Sequence, residues 1–429
     1  MILRNHSYCR SILLLTIFIF LLTACSSTSS KPTAVEPSVI QQETESVEDG
    51  QTLTVVTPET ANKAPEEKSK YQIQTRLTDF HMLSDSEGIA WGLTKTSIRL
   101  YLTEDFGETW VDISPSPNIN FVDRPVYGQD IVFTDKDHGW IVRNGVGSQD
   151  TMLLNTNNGG SEWKLSSLPG TEKVTALSFS SSENGWVMAS GGASPGSEEK
   201  ALFRTNDNGG KWSNIMQNSD YPASRIPGTV IPRTGLIVGM TFANAITGFA
   251  TVKETQGSKL YVTRDGGTKW NSSKLVFQDD QMKMCKSYIP GVPKFLGSTN
   301  DVWVPVTCLN ANSTEYLGYF SSDSGESWNV VSFPLKPKST SGTLSPVFRR
   351  LNEGWSMIDG IVYRSENMGK TWTPYPADPE LGKHLADYPI VSKMEFASSE
   401  VGWMLVETTD AKRSRLLLSM DGGETWRIR

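Results

Sequence analysis

Thr263-Arg264-Asp265-Gly266-Gly267-Thr268-Lys269-Trp270 is the stretch on which the fold turns. Thr and Asp side chains bond nearby backbone amides, and glycine supplies the positive φ of a tight turn. A tryptophan closing such a turn starts the next strand and packs inward. The same spelling, Ser/Thr-x-Asp/Asn-x-Gly-x-x-Trp, recurs six more times, ending at Trp110, Trp163, Trp212, Trp328, Trp372 and Trp426. Those copies carry Asp105, Asn158, Asp207, Asp323, Asn367 and Asp421 where the first has Asp265. Steps between the tryptophans run from 44 to 58 residues, so residues 71–429 form a repeat array.

A second element precedes each box: an apolar residue followed six positions later by glycine, then an aromatic or apolar residue. Phe133 leads to Gly139-Trp140, Phe179 to Gly185-Trp186, Phe348 to Gly354-Trp355 and Phe396 to Gly402-Trp403. Phe242 leads to Gly248-Phe249, and Met82 to Gly88-Ile89 with Trp91 two residues on. In the fifth copy Leu296 and Trp303 keep the spacing without the glycine. Runs between these turn signals predict four short strands per copy, A to D, near 131–134, 139–143, 151–155 and 163–166 in the second. All 13 tryptophans are absorbed, seven closing boxes and six on second strands.

The box resembles the Asp-box, or BNR repeat, of sialidase-like and related β-propellers, with Asn158 and Asn367 as departures. That resemblance implies an all-β fold: a single seven-bladed β-propeller of four-stranded blades over 71–429, preceded by a disordered linker. A closed ring leaves no long free strand edge, and residues 71–76 are candidates to pair with the last blade and close it. The pattern is also similar to non-catalytic BNR propellers such as the photosystem II stability/assembly factors, which implies a protein-binding scaffold. In this reading the seven Asp/Asn side chains are structural, with calcium or ligand binding the lesser alternative.

Upstream, Arg4 and Arg10 precede the apolar run Ile12–Leu22. A spanning helix needs roughly 20 apolar residues, so residues 1–24 read as a signal peptide. Leu22-Thr23-Ala24-Cys25 resembles the bacterial lipobox, which implies that Cys25 becomes the acylated first residue of a lipoprotein. Residues 26–70 hold 14 Ser/Thr, four Pro, no aromatic residue and a net charge of −4. Such a segment does not bury enough apolar surface to offset its chain entropy. Residues 25–70 are therefore expected to be a lipidated, disordered tether reaching roughly 35–40 Å. The expected location is the extracytoplasmic side of a bacterial cell membrane.

Composition excludes several classes. Lys and Arg number 40 against 47 Asp and Glu, a net of −7, so nucleic acid is not the expected partner. Four Cys and four His in 429 residues argue against a disulfide-built scaffold and a His/Cys metal site. No metal or cofactor is expected, and the chain is read as a monomer. A mean hydropathy of −0.33 excludes a multi-span membrane protein. Cys285 and Cys308 are the thiols left after the signal and the anchor, and export leaves a disulfide between them open.

Antiparallel strands place successive turns on alternate faces. The boxes and Gly-Trp turns share one face; the D–A and B–C connections share the other and vary in length and chemistry. The working surface is expected there, near the central channel, on segments 191–200, 214–235, 271–292, 308–315 and 374–388. Tyr221, Arg225 and Arg233 are ligand-binding candidates on the second. Arg225-Ile226-Pro227 resembles the sialidase element whose Arg binds a sugar carboxylate. It lies before the fourth blade, where the family places it at the first, and its partner residues are missing. Arg349 and Arg350 follow Phe348 on an inner strand, where pairing with a carboxylate such as Glu395 is the plainer reading. Tyr375, Asp378, His384 and Tyr388 combine aromatic and polar groups suited to sugars or peptides, or simply form a solvated loop. Neither Gly-x-Ser-x-Gly, His-Glu-x-x-His nor a phosphate loop is present. A non-catalytic scaffold for a protein or a cell-envelope glycan is favoured over a glycoside hydrolase or a lectin.

Overall fold

Hydrogen bonds confined to eight residues make each box a turn. In the copy at 263–270, Thr263 Oγ1 donates to Asp265 Oδ1 (3.0 Å) and accepts from Gly267 N (2.9 Å). Asp265 Oδ1 accepts from Lys269 N, and Trp270 Nε1 donates to Gly267 O, both at 2.9 Å. Gly266 and Gly267 sit at φ 77° and 101°, in the left-handed region where a Cβ is disfavoured. In the two variant copies Asn158 and Asn367 accept from Glu162 N and Thr371 N at 2.9 Å, the bond the aspartates make. That bond needs an acceptor oxygen rather than a charge, so Asn serves. Trp163 is the exception at the closing position, donating to Ile113 O of the preceding copy (2.9 Å).

The coordinates are a computed structural model. They describe residues 75–429 apart from 116–118, 122, 146–149, 169, 219–229, 255–256, 278–281 and 312, together with Ile73, Thr44–Ser46 and Thr52–Val56. The signal peptide, Cys25, most of the tether, Tyr221 and Arg225 lie outside the described residues. Each repeat forms one antiparallel sheet of strands consecutive in the chain. In the second they are Ile131–Phe133, Gly139–Arg143, Thr151–Thr156 and Trp163–Leu168. Seven such sheets make a seven-bladed β-propeller.

The element before each box builds both the blade and its contact with the next. A Cβ placed on Gly139, Gly185, Gly354 or Gly402 would stand 2.2–2.6 Å from the Phe ring of its own blade. Glycine there makes room for that ring. The following Trp crosses to the next blade and lies on its Phe: Trp140 on Phe179, Trp186 on Phe242 and Trp355 on Phe396, with centroids 3.5, 3.8 and 3.8 Å apart. The indole N–H groups of the same three donate to carbonyls of the next blade's box, Asn208 O, Gly266 O and Gly422 O, at 2.8–2.9 Å. Trp91, Trp140, Trp163, Trp186, Trp270, Trp303, Trp355 and Trp403 are all among the fully buried side chains. Each removes on the order of 200 Å² from water, about 5 kcal/mol gross as an upper bound.

Two features of the ring depart from the sequence-based expectations. The last sheet consists of Ile390–Phe396, Gly402–Glu407, Ser414–Ser419 and Arg427–Ile428, with no strand from the start of the chain among the described residues. Where 71–76 is described, it does not pair with that sheet. Thr78 N donates to Trp91 O of its own blade, and Arg76 reaches the last blade through an ion pair with Glu407. Side chains therefore close the ring: Trp403 packs against Phe80 and Trp110 at 5.8 and 5.7 Å, over Gly88. In the fifth blade Phe295 pairs with Val302, so Phe295 rather than Leu296 is the anchor and the turn is one residue longer. Phe295 then meets Phe249 of the fourth blade at 5.7 Å, as the other anchors meet their neighbours.

Several segments expected as variable loops are regular. Residues 191–200 form the end of the hairpin Gly185–Ser194 and Ser197–Thr205. Residues 374–388 hold the α-helix Pro379–Asp387, capped by Asp378, whose Oδ1 accepts from Glu380 N (2.9 Å). Within the tether, Thr52–Val56 pairs antiparallel with Trp163–Leu168 and Thr44–Ser46 pairs with it, extending the second sheet to six strands. Thr52-Leu-Thr-Val-Val56 has the β-branched composition that suits a strand.

Candidate functional site

The innermost strands of the seven blades wall a central channel of about 970 Å³. Register defines one layer of it. His81, Val132, Ser178, Thr241, Lys294, Val347 and Glu395 each pair with the second-strand residue that is Trp in most blades, and all seven line the channel. Seven equivalent backbone positions thus present a histidine, a lysine, a glutamate, two hydroxyls and two valines.

The charges gather where the first and last blades meet. His81 Nδ1 lies 2.7 Å from Glu395 Oε1, and Lys393 Nζ lies 2.9 Å from Asp79 Oδ1 and 3.6 Å from Glu395 Oε2. Lys393 also donates to Phe80 O (2.6 Å). Tyr127 of the second blade stacks on His81 at 3.8 Å and donates its hydroxyl to Phe133 O (3.1 Å). Burial alone would raise the Glu395 pKa, but His81 and Lys393 outweigh it and hold the carboxyl at about 2. Burial also works against the Lys393 ammonium, and Asp79 and Glu395 overcome it and raise its pKa. Lys294 of the fifth blade behaves oppositely. Its side chain is open to the channel yet ringed by protein, and that enclosure, with Lys393 nearby, pushes its pKa down.

The mouth on the D–A side is apolar. Val126, Leu236, Ile289, Val292 and Ile390 lie at or just before the D–A ends of inner strands and are 37–48% exposed. They make up five of the nine exposed large apolar residues among those described. Concentrated exposure of this kind marks interaction surfaces, whereas single exposed residues are ordinary.

The residues singled out from sequence fall elsewhere. Arg349 lines the channel, but its guanidinium binds Glu353 (Nε to Oε2 2.9 Å) across the A–B turn, not Glu395. Glu395 is already bound by His81 and Lys393, and Glu353 is the nearer carboxylate. Arg350 is exposed beside Gly297 and does not line the channel. Arg233 pairs with Glu199 (2.9 Å). Asp378 accepts from Trp426 N (2.9 Å), fastening the helix to the last blade. Arg415 donates to His384 Nδ1 (3.0 Å) and lies over the Tyr388 ring at 4.3 Å, while Tyr375 packs into the same cluster. Burial and Arg415 push the His384 pKa down. This group is an ordered connection rather than a solvated loop. Cys285 and Cys308 are joined, with Cα atoms 5.2 Å apart, so the approach to Ile289 is tied to the second strand of its blade. Sequence reasoning missed Asp79, His81, Lys294 and Lys393. The available signal was the position just before each anchor, and in the fifth blade the anchor itself was misplaced by one.

Comparisons with known proteins bear on the same fold. A family model described as photosynthesis system II assembly factor YCF48 matches residues 116–273. No curated protein matches the chain. Among solved structures, YCF48 bound to a D1 peptide is 18% identical over 85% of this chain and 97% of its own, with a TM-score of 0.48. A prolyl endopeptidase is 10% identical over 82% of this chain and 49% of its own, with a TM-score of 0.50. The GH74 xyloglucanase of Xanthomonas campestris is 11% identical over 80% and 62%, with a TM-score of 0.34. At 10% identity the likeness to the prolyl endopeptidase is one of fold alone. The chain is a seven-bladed β-propeller similar, over residues 116–273, to the photosystem II assembly-factor family.

Proposed function

We propose that this protein is a membrane-tethered, extracytoplasmic scaffold that binds a protein partner at the D–A mouth of its channel. The observation that carries the reading is the set of exposed apolar residues Val126, Leu236, Ile289, Val292 and Ile390 at or just before the D–A ends of the inner strands, of which Val126 and Val292 line the channel. The assembly-factor description of the family matched by residues 116–273 supports a protein rather than a small molecule. The Cys25 lipobox supports attachment by lipid.

Glycoside hydrolysis fits the channel poorly. It asks for one carboxyl kept protonated beside an ionised one. Glu395 is held at about 2, and Asp79 is bound to Lys393. Asp130 is pushed up to about 6 by burial, but it accepts from Val126 N (2.9 Å) and does not line the channel. Photo-crosslinkers at Ile390 and, as a control, at exposed Met420 test the scaffold reading in membranes. A defined protein adduct at Ile390 and none at Met420 is the expected result; adducts at neither, or at both equally, would overturn it. Cys25→Ala is expected to move the protein to the soluble fraction.

A further inference from the structure

We propose that the channel receives an acidic side chain at the tip of a partner's surface loop, with Lys294 as its counter-ion and the apolar rim seating the residues on either side. This rests on the scaffold reading above and names the chemistry of what is bound.

Charge pairing singles out Lys294. The Lys393 ammonium is held by Asp79 and Glu395, and the Arg349 guanidinium by Glu353. Lys294 has no carboxylate within 4 Å among the described residues; its ammonium lies 5.9 Å from the centroid of the Trp303 ring. Lys294 faces the channel exposed, and a cation without a counter-ion in a walled cleft attracts an arriving anion. The site therefore offers an unpaired cation for a carboxylate.

The rim argues for a loop. Val126 stands on the second blade, Leu236 on the fourth, Ile289 and Val292 on the fifth and Ile390 on the seventh. These lie on different sides of the mouth. A loop whose two arms diverge from an acidic tip covers opposite sides at once, where a single chain end covers one.

Randomised peptide loops closed by a disulfide, displayed and selected on the full-length protein, test the proposal. The selected loops are expected to carry Asp or Glu between apolar residues. They should bind the Lys294→Gln protein at least about tenfold more weakly, recover on Lys294→Arg, and lose binding equally when the acid becomes the amide. Thermal melts of both variants establish that they are folded. Loops without an acidic tip, or binding indifferent to Lys294→Gln, would overturn the proposal. A parallel library with free C-termini that yields the tighter Lys294-dependent binders would overturn the loop in favour of a chain end. If the Ile390 adduct in membranes forms equally well in Lys294→Gln, this inference falls and the scaffold reading stands. If no adduct forms with either protein, both fall.

Discussion

His81 Nδ1 and Glu395 Oε1 stand 2.7 Å apart, one on the first blade and the other on the last, 314 positions later in the chain. Among the described residues no strand is shared between those blades, and this contact and the Lys393–Asp79 pair carry much of the polar closure of the ring. Glu395 titrates at about 2 in the fold against 4.5 when free. Its folded pKa is depressed, so its stabilisation is complete above pH 4.5 and is lost as pH falls through about 2. Glu395→Gln is expected to destabilise at pH 7 by no more than about 3 kcal/mol, since the carboxyl keeps some channel water. The gap between wild type and variant should close as melts are taken from pH 5 down to pH 2. A gap constant over that range would show that the closure is not carried by this charge.

The tryptophans that cross between blades are not equivalent. Trp355 stacks on Phe396 and donates to Gly422 O at 2.8 Å, whereas Trp403 Nε1 has no hydrogen-bond partner. Trp355→Phe, which keeps a ring but strands a buried carbonyl, is expected to cost about 1–2 kcal/mol more than Trp403→Phe. Trp355→Ala should cost about 3–5 kcal/mol by cavity formation. Denaturant unfolding of the three variants measures both differences.

Asn158 and Asn367 predict what the aspartates contribute. Asp265→Asn keeps the acceptor for Lys269 N and should change stability by less than about 0.5 kcal/mol. Asp265→Ala removes it and should cost about 1–2 kcal/mol. Calcium should leave the melting temperature of both proteins unchanged. A calcium-dependent rise in wild type that Asp265→Asn abolishes would make this box a metal site.

Lys200 is wholly buried, and its ammonium donates to Glu198 O, Pro232 O, Arg233 O and Gly235 O at 2.9–3.3 Å. One side chain thereby ties residues 232–235 to the third blade. Lys200→Met fills the space but removes the buried ammonium that Pro232 O and Gly235 O accept from, while Arg233 O keeps its bond from Glu198 N. It should destabilise by at least about 3 kcal/mol and speed hydrogen exchange at residues 230–236 before the rest of the propeller. Uniform exchange across all blades would mean that the lysine supports the whole fold rather than this segment.

Cys285 and Cys308 close a loop of 23 residues, for which a chain-entropy estimate is about 3 kcal/mol. Reduction should lower stability by about that amount. It should also raise proteolysis between Phe277 and Ile289 first, because the bond ties that connection to the second strand. Mass shifts on alkylation with and without reductant count the thiols. Two free thiols in protein isolated without reductant would remove the link.

The sequence by itself determined the repeat, the blade and the number of blades. The reason is distance along the chain: a box is closed by bonds among residues 263 to 270, and Phe396 meets Gly402 six residues on. Such constraints repeat with every blade and so become visible as spelling. Only the tertiary structure decided the site. His81, Lys294 and Glu395 share a layer because seven blades close on one axis, which no local bond within a single blade encodes. Their local sequence gives only a position, the one before each anchor, and not the partner across the channel. The extra residue in the turn after Phe295 hid Lys294 further, since a one-residue shift moves a strand's side chains to the opposite face.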